Sequence, residues 1–180
     1  MSMHDVLDNL KRFLHPYEQI EILNYTTIYF LPILERKLPG GMETMTGNKN
    51  NGFDNDVGEY TIKLRDHMAY WYEIISKLGK GSFGYCVKCF DYKEKKYVAM
   101  KIIWNKKWLH NQGVIEVKIL ETLRDNDPDD KNYIVRIKEH FQFRNHLCIT
   151  FEMLSMNLYE HIKMHNFDGF DESLVWKYVI

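Results

Sequence analysis

Long apolar runs are missing from this sequence of 180 residues. No segment approaches the roughly 18 consecutive apolar residues of a membrane-spanning helix. The first residues lead into an amphipathic segment, unlike the apolar core of a secretion signal. Ser2 also stands where N-myristoylation requires glycine. We therefore expect that the protein has no membrane partner.

The sequence also has little excess charge of either sign and few cysteines. The formal net charge is -1, so there is no basic field to attract phosphate backbones, and nucleic acid is not an expected partner. The three cysteines are an odd number in a chain long enough to fold without disulfides, which favours a reducing compartment, the cytoplasm and/or the nucleus. Cys86 and Cys89 lie three positions apart in a predicted strand, on opposite faces, and cannot pair there.

The first 58 residues predict one helix and one long loop. An amphipathic helix should begin after a cap at Asp5 and end before Pro16, because its apolar residues recur at three- and four-residue steps. Residues 39–58 are rich in glycine and asparagine, which is typical of a solvated loop, and a linker-like break is expected near Gly58.

Beyond residue 58 the pattern is mostly that of β-strands. Tyr60, Ile62 and Leu64 alternate as in a short half-buried strand. Further strands are predicted at 72–78, 85–90, 97–104, 134–143 and 147–151. The order of elements predicts an α+β fold.

A helix over residues 111–124 separates the third and fourth of these further strands. Ile115, Ile119 and Leu123 recur in register and predict its apolar face. Gly113 lies inside this helix, where glycine costs about 1 kcal/mol relative to alanine. We therefore expect Gly113→Ala to raise the melting temperature. Two more helical segments are predicted to begin near Leu158 and Glu172.

A glycine cluster between the strands at 72–78 and 85–90 fits the pattern G-x-G-x-x-G over residues 79–84. A dinucleotide fold would need a helix directly after the last glycine, but the following residues are typical of a strand. A Walker loop would need Lys and then Ser or Thr after Gly84, and Tyr85 and Cys86 stand there. A phosphate-covering hairpin remains, with a plain glycine turn as the alternative.

Lys101 strengthens the phosphate interpretation. In Val98-Ala99-Met100-Lys101, strand alternation points Ala99 and Lys101 to one face, where a small residue can lie against adenine and an ammonium can reach phosphates. Glu116, 15 positions later on the predicted helix, is the expected acidic partner of this lysine. Lys101 and Glu116 are therefore the candidate catalytic pair.

Three segments carry a resemblance to a known family. Residues 141–160, which read FQFRNHLCITFEMLSMNLYE, resemble the hinge segment of the dual-specificity tyrosine-phosphorylation-regulated kinases (DYRK), a family of the CMGC group of protein kinases. Asp66-His67 resembles the DH box of that family. Residues 5–58, including 28–31 and 45–47, resemble the N-terminal autophosphorylation accessory region of its class II members.

The resemblance implies three regions. Residues 1–71 would form the accessory region and DH box, 72–151 the kinase small lobe with a five-stranded antiparallel sheet and one helix, and 152–180 the hinge and the start of the helical large lobe. The resemblance also implies ATP and Mg²⁺ as cofactors. It implies phosphorylation of serine and threonine in protein substrates, together with tyrosine autophosphorylation.

The resemblance also assigns roles within the nucleotide site. Phe151 would be a bulky gatekeeper, the Glu152 carbonyl and the Leu154 amide would bind adenine, and Lys101 would hold the α- and β-phosphates. The remaining expected nucleotide contacts are Leu78, Gly79, Lys80, Gly81, Ser82, Phe83, Gly84, Cys86, Ala99, Val135 and Asn157. Cys86 departs from the family pattern, which usually has valine there. No metal ligand is expected within these residues.

The sequence contains neither a kinase catalytic loop nor an Asp-Phe-Gly segment. We therefore expect that the chain is inactive by itself. We also expect that it is an N-terminal fragment of a complete kinase, because its last residues are typical of helical turns without a closing cap. Two alternatives remain: a shortened nucleotide-binding or scaffold protein without phosphotransfer activity, and an accessory protein that acts through partners without ATP.

Overall fold

A curled antiparallel sheet organises the computed structural model, which describes residues 1–32 and 49–179. Its six strands are β1 His67–Met68, β2 Tyr72–Lys80, β3 Gly84–Asp91, β4 Lys96–Ile103, β5 Ile137–Phe143 and β6 His146–Glu152. Their order across the sheet is β1-β2-β3-β4-β6-β5. The predicted α+β class and kinase small-lobe sheet are confirmed. Residues 39–48 of the predicted loop, with the 45–47 motif, lie outside the described ranges.

The sheet has one more strand than the five expected. In β1, His67 pairs with Glu73 and Met68 pairs with Tyr72. The chain reverses between β1 and β2 through Ala69 and Tyr70, whose φ angles are 52° and 60°. Two paired residues carry too little alternation to show as a strand in the sequence.

The two faces of the sheet bury different side chains. On one face, Val98, Met100 and Ile102 of β4 join an apolar cluster with Tyr60 and Met68. Residues that precede β2 along the chain thus cover this face. Ala99 and Lys101 alternate to the opposite face, toward the long helix, and are only partly buried.

The long helix α3 spans Lys107–Asn126 and packs on β4, β5 and β6. The predicted apolar face is wrong, because Ile115, Ile119 and Leu123 are 52%, 55% and 37% exposed. The buried residues of α3 are instead Leu109, Gly113 and Val117. The two sets are offset by two positions, which rotates them by about 200° around the helix axis.

Gly113 is a packing requirement of this interface. A Cβ atom at Gly113 would lie 2.8 Å from Leu147 Cδ2 and 3.5 Å from Ile103 Cγ1. Both neighbours are at most 4% exposed, so the Leu147 methyl group has little room to move. The expected gain from Gly113→Ala is therefore opposed by overpacking, which typically costs about 1–3 kcal/mol.

The N-terminal helix begins earlier than predicted. Helix α1 spans Met3–Leu10, and its cap is Ser2 rather than Asp5. The Ser2 side chain accepts a hydrogen bond from the Asp5 amide while the Asp5 carboxylate accepts one from the Ser2 amide, so Asp5 is the third residue of a capping box. A 3₁₀ turn, Lys11–Phe13, follows, and helix α2 spans Pro16–Glu21.

Residues 54–60 form a closed loop whose tip, residues 55–57, is exposed as predicted for a solvated loop, while its ends are buried against the sheet. Asp54 and Tyr60 pair in an isolated bridge, and both are buried. Because the Thr61 amide donates to the Phe53 carbonyl, the chain turns back here and the strand expected at 60–64 does not form. We refer to residues 54–60 as the 54–60 loop.

The last described residues are helical, as predicted. Helix α4 spans Leu158–Met164 and helix α5 spans Glu172–Val179. Within residues 1–32 and 49–179, no helix has the length and apolar character to cross a membrane.

Candidate functional site

The glycine cluster forms the turn of the hairpin between β2 and β3. The Gly81 amide donates to the Gly84 carbonyl at 2.9 Å. A Cβ atom at Gly84 would overlap the Ile102 carbonyl oxygen, so the approach of β3 to β4 requires glycine at this position. In contrast, a Cβ atom at Gly79 would meet no atom of the described residues within 4 Å, and one at Gly81 only the Gly84 carbonyl oxygen at 3.8 Å. Packing among residues 1–32 and 49–179 therefore explains Gly84 but not Gly79 or Gly81, and a ligand that approaches the backbone would explain them.

Strand register places the central predicted residues side by side. Cys86 lies opposite Lys101 in the β3–β4 ladder, and Gly79 lies opposite Cys86 in the β2–β3 ladder. Ala99 lies opposite Phe151 of β6. Small and apolar residues from four strands therefore share one face of the sheet with Lys101 and with Lys88, which lies opposite Ala99.

Lys101 and Glu116 form a bidentate ion pair. The Lys101 Nζ atom lies 2.7 Å from Glu116 Oε1 and 2.8 Å from Oε2. Their side chains are 21% and 30% exposed, so both groups are partly accessible to solvent. Sequence spacing predicted this contact, while the roles of the two residues in binding or catalysis stay predictions.

Cys86 is a half-buried thiol beside this ion pair. Burial raises its pKa, and the nearby Lys101 ammonium only partly opposes this shift. The thiol is therefore mostly protonated near neutral pH, as in an apolar wall rather than a nucleophile. Cys89 points to the opposite, fully buried face, which agrees with the prediction that the two cysteines do not pair.

The other predicted adenine contacts are more open. Leu78, Val135 and Leu154 are 46%, 38% and 57% exposed. Val135 precedes β5 and lines a narrow cleft with Leu123 and Ile134 at the end of α3. Solvent-exposed apolar side chains of this kind leave surface that a planar ligand can cover.

Asn157 and Glu152 already have polar partners. Asn157 caps helix α4, and its Oδ1 atom accepts from the Glu160 amide at 2.8 Å. The Glu152 carboxylate accepts from the Arg136 amide at 2.8 Å. Both side chains therefore fix the segment after β6, and the expected ribose contact of Asn157 stays a prediction.

The tip of the hairpin contacts the start of helix α3. The Phe83 and Trp108 rings meet edge to face with centroids 6.3 Å apart. Lys101 Nζ lies 6.0 Å from the centre of the Phe83 ring. Ser82 is exposed at the same tip. The aromatic pair therefore holds the hairpin tip near the Lys101 ammonium.

Lys80, another predicted nucleotide contact, pairs with a residue that the sequence did not indicate. Its Nζ atom lies 2.7 Å from Glu59 Oε1 in the 54–60 loop. The hydrogen bond from Lys80 lowers the pKa of Glu59, and the same bond raises the pKa of Lys80. Neither composition nor spacing marks Glu59, because it lies 21 positions before Lys80 outside any periodic segment.

A second group of charges lies between helix α2, the start of β1 and the β5–β6 turn. Among the described residues, Glu18, Asp66 and His67 have potential ligand atoms within 4.8 Å of one another. Arg144 already supplies a cation there, since its Nη2 atom lies 3.4 Å from Glu18 Oε1 and 2.9 Å from Glu21 Oε2. The geometry is that of a structural ion-pair network and not of a metal site.

The sheet, the glycine hairpin and the lysine–glutamate pair together define a class. The protein kinase domain family matches residues 72–179, which begins with the first residue of β2 and covers more than half of the chain. The chain therefore belongs to the protein kinases, and its relatives place it in the DYRK family.

Three relatives show how similar the chain is to members of this family. The chain is 46% identical over 180 residues to dual specificity tyrosine-phosphorylation-regulated kinase 4 of Homo sapiens. It is 44% identical over 174 residues to dual specificity tyrosine-phosphorylation-regulated kinase mbk-2 of Caenorhabditis briggsae, and 48% identical over 161 residues to a probable serine/threonine-protein kinase of Dictyostelium discoideum. These matches cover 100%, 97% and 89% of the chain, but only 34%, 21% and 17% of the three relatives.

Proposed function

We propose that this chain is the ATP-binding part of a protein kinase that phosphorylates serine and threonine residues of protein substrates and autophosphorylates tyrosine. The observation that carries the proposal is the bidentate contact between Lys101 and Glu116 on the sheet face that also holds Ala99 and Cys86. An ammonium fixed in this way can hold phosphate oxygens without moving. The names of the relatives include dual specificity and tyrosine phosphorylation, and they support the proposed substrates and the autophosphorylation.

ATP fits the residues present. The open space at Gly79 and Gly81 allows phosphate oxygens to approach backbone amides. Ala99 lies opposite Phe151 in the sheet and is small enough to lie against adenine. Mg²⁺ would accompany ATP and neutralise charge on the phosphates, and the family resemblance places its ligands in segments that these 180 residues do not contain.

The division of the chain follows the same proposal. We infer that residues 1–71 are the accessory region with the DH box, 72–151 the small lobe, and 152–180 the hinge and the first part of the large lobe. Phosphoryl transfer would then need the catalytic-loop and Asp-Phe-Gly segments in addition to this chain.

Nucleotide titration tests the proposal directly. ATP and adenosine are titrated by calorimetry against the wild type, Lys101→Ala and, as a matched control, Lys118→Ala, which removes an exposed lysine of α3. We expect Lys101→Ala to weaken ATP binding about tenfold and to leave adenosine binding unchanged, because only ATP has phosphates for this charge. Equal ATP affinity in the two lysine variants would contradict the assigned role of Lys101.

The activity is tested on the natural full-length product. Incubation with γ-labelled ATP and phosphoamino-acid analysis should show phosphoserine and phosphothreonine in added protein substrates and phosphotyrosine in the kinase itself. A wild type that binds ATP but transfers no label would favour the scaffold alternative.

A further inference from the structure

We propose that Glu59 of the 54–60 loop is a positioning residue of the nucleotide site, because its carboxylate ties both strands of the glycine hairpin to the accessory region. This inference rests on the proposed function. Through Glu59, the accessory region would directly contact the hairpin that would cover the phosphates of ATP.

The contacts of Glu59 reach both sides of the hairpin. Its Oε1 atom lies 2.7 Å from the Nζ atom of Lys80, at the end of β2. Its Oε2 atom accepts a hydrogen bond of 3.0 Å from the Tyr85 hydroxyl, at the start of β3. Lys80 and Tyr85 are cross-strand partners, so one carboxylate holds the pair that encloses the turn at residues 81–84.

Glu59 is itself held rigidly. Its side chain is 11% exposed, and Asn55 donates to Oε2 at 3.0 Å while also accepting from the Glu59 amide at 2.9 Å. Gly58 has a φ angle of +83° and lies against Asn105, the second residue after β4, whose amide donates to the Gly58 carbonyl at 2.8 Å. The loop therefore presents the carboxylate at a fixed position relative to β4.

The ends of the 54–60 loop are anchored in the core. The Asp54 carboxylate contacts His146 Nε2 at 2.6 Å and accepts from Asn105 at 2.8 Å. Tyr60 is buried, and its hydroxyl accepts from Arg144 at 3.3 Å. The hairpin tip is exposed, and its other restraints are the Phe83–Trp108 ring contact and the bond from the Trp104 amide to the Phe83 carbonyl. Loss of the Glu59 carboxylate should therefore loosen the hairpin without unfolding the loop.

Amide hydrogen exchange in the absence of nucleotide measures how strongly Glu59 restrains the hairpin. The reporter is the Gly81 amide, which donates to Gly84 across the turn. The variants are Glu59→Gln, which removes the charge at constant shape, and Tyr85→Phe, which removes one hydroxyl. Glu94→Gln is the matched control, since Glu94 also pairs with a lysine but lies in the distant β3–β4 turn. We expect exchange at Gly81 about threefold faster in the two hairpin variants and unchanged in the control.

Calorimetric titration with ATP then measures the consequence for the site. We expect the Kd for ATP to rise about threefold in Glu59→Gln and in Tyr85→Phe, and to stay constant in Glu94→Gln. Unchanged exchange at Gly81 would overturn the proposal. Tighter ATP binding in Glu59→Gln would also overturn it, since Glu59 would then withhold Lys80 from the phosphates. A wild type that binds no ATP would refute the proposed function, and the exchange result would still decide whether Glu59 restrains the hairpin.

Discussion

Replacement of Arg144 by methionine should remove much of the stability of the protein. The Arg144 side chain is fully buried, and its guanidinium contacts two carboxylates. Nε donates to Glu21 Oε1 at 2.9 Å and Nη2 to Glu21 Oε2 at 2.9 Å. Nη2 also lies 3.4 Å from Glu18 Oε1. The guanidinium carbon lies 3.8 Å from the centre of the Phe53 ring. Methionine keeps a long apolar side chain but leaves both carboxylates buried without this cation.

The magnitude follows from the desolvation of these carboxylates. Burial alone would lower the pKa of Arg144, but hydrogen bonding to Glu21 and the neighbouring negative charge outweigh it and raise that pKa. The side chain is thus a permanent cation in the network. Removal of one partner of a buried ion pair costs about 3–5 kcal/mol, and a domain is stable by only about 5–15 kcal/mol. We expect a loss of about 3–5 kcal/mol in the free energy of unfolding.

Urea denaturation followed by tryptophan fluorescence measures this loss. The decisive comparison is a triple variant, Glu18→Gln, Glu21→Gln and Arg144→Met, in which the two carboxylates that contact Arg144 are neutralised together with it. We expect the triple variant to be more stable than Arg144→Met alone, because replacing a whole buried ion pair is often neutral. A loss below about 1 kcal/mol in the single variant, or no recovery in the triple variant, would refute the reasoning.

Two further predictions concern Gly113 and Cys86. Gly113→Ala should leave the melting temperature unchanged or lower it, because the new methyl group meets Leu147 Cδ2 at 2.8 Å. Calorimetry of the double variant Gly113→Ala with Leu147→Val, compared with Leu147→Val alone, should reveal the gain in helix propensity. A higher melting temperature in Gly113→Ala itself would contradict the packing argument. Cys86 should react with iodoacetamide more slowly than an unfolded control peptide at pH 8, since burial raises its pKa above the ordinary 9.0 and keeps the thiol protonated. The rate should rise as the pH increases through 9, and mass spectrometry identifies the alkylated residue. Equal rates in protein and peptide would contradict the buried environment assigned to Cys86.

The strands were predictable because their signal is local. In β4, the alternation of Val98, Met100 and Ile102 with Ala99 and Lys101 is visible in the sequence, and the observed strand preserves it. The spacing of Lys101 and Glu116 could be read in the same way, since it depends only on one strand, one connection and one helix. Short-range order of this kind fixed the predicted fold class correctly.

Helix α3 shows why its orientation was not predictable. Its buried stripe includes Gly113, and a glycine carries no apolar side chain for periodicity to detect. The larger residues Ile115 and Ile119 therefore dominated the pattern although they are exposed. The close approach of helix and sheet at Leu147 selects glycine, and this approach is a property of tertiary packing.

The contacts of Glu59 and Arg144 were invisible for a different reason. Glu59 meets Lys80 and Tyr85 only because the 54–60 loop closes on the sheet. Arg144 meets Glu21 from a separation of 123 positions. Charged residues are usually solvated, so no single-sequence pattern distinguishes these from surface charges.

The separation between Glu21 and Arg144 also sets an order of events during synthesis. The two residues are 123 positions apart, and ribosomes add about 5–20 residues per second, so Glu21 is made roughly 6 to 25 s before its partner. Until Arg144 emerges, the α2 carboxylates must stay in water, because burial without the guanidinium is costly. Helices α1 and α2 of the nascent chain are therefore expected to dock only after the β5–β6 turn has been made, although they are synthesised before it.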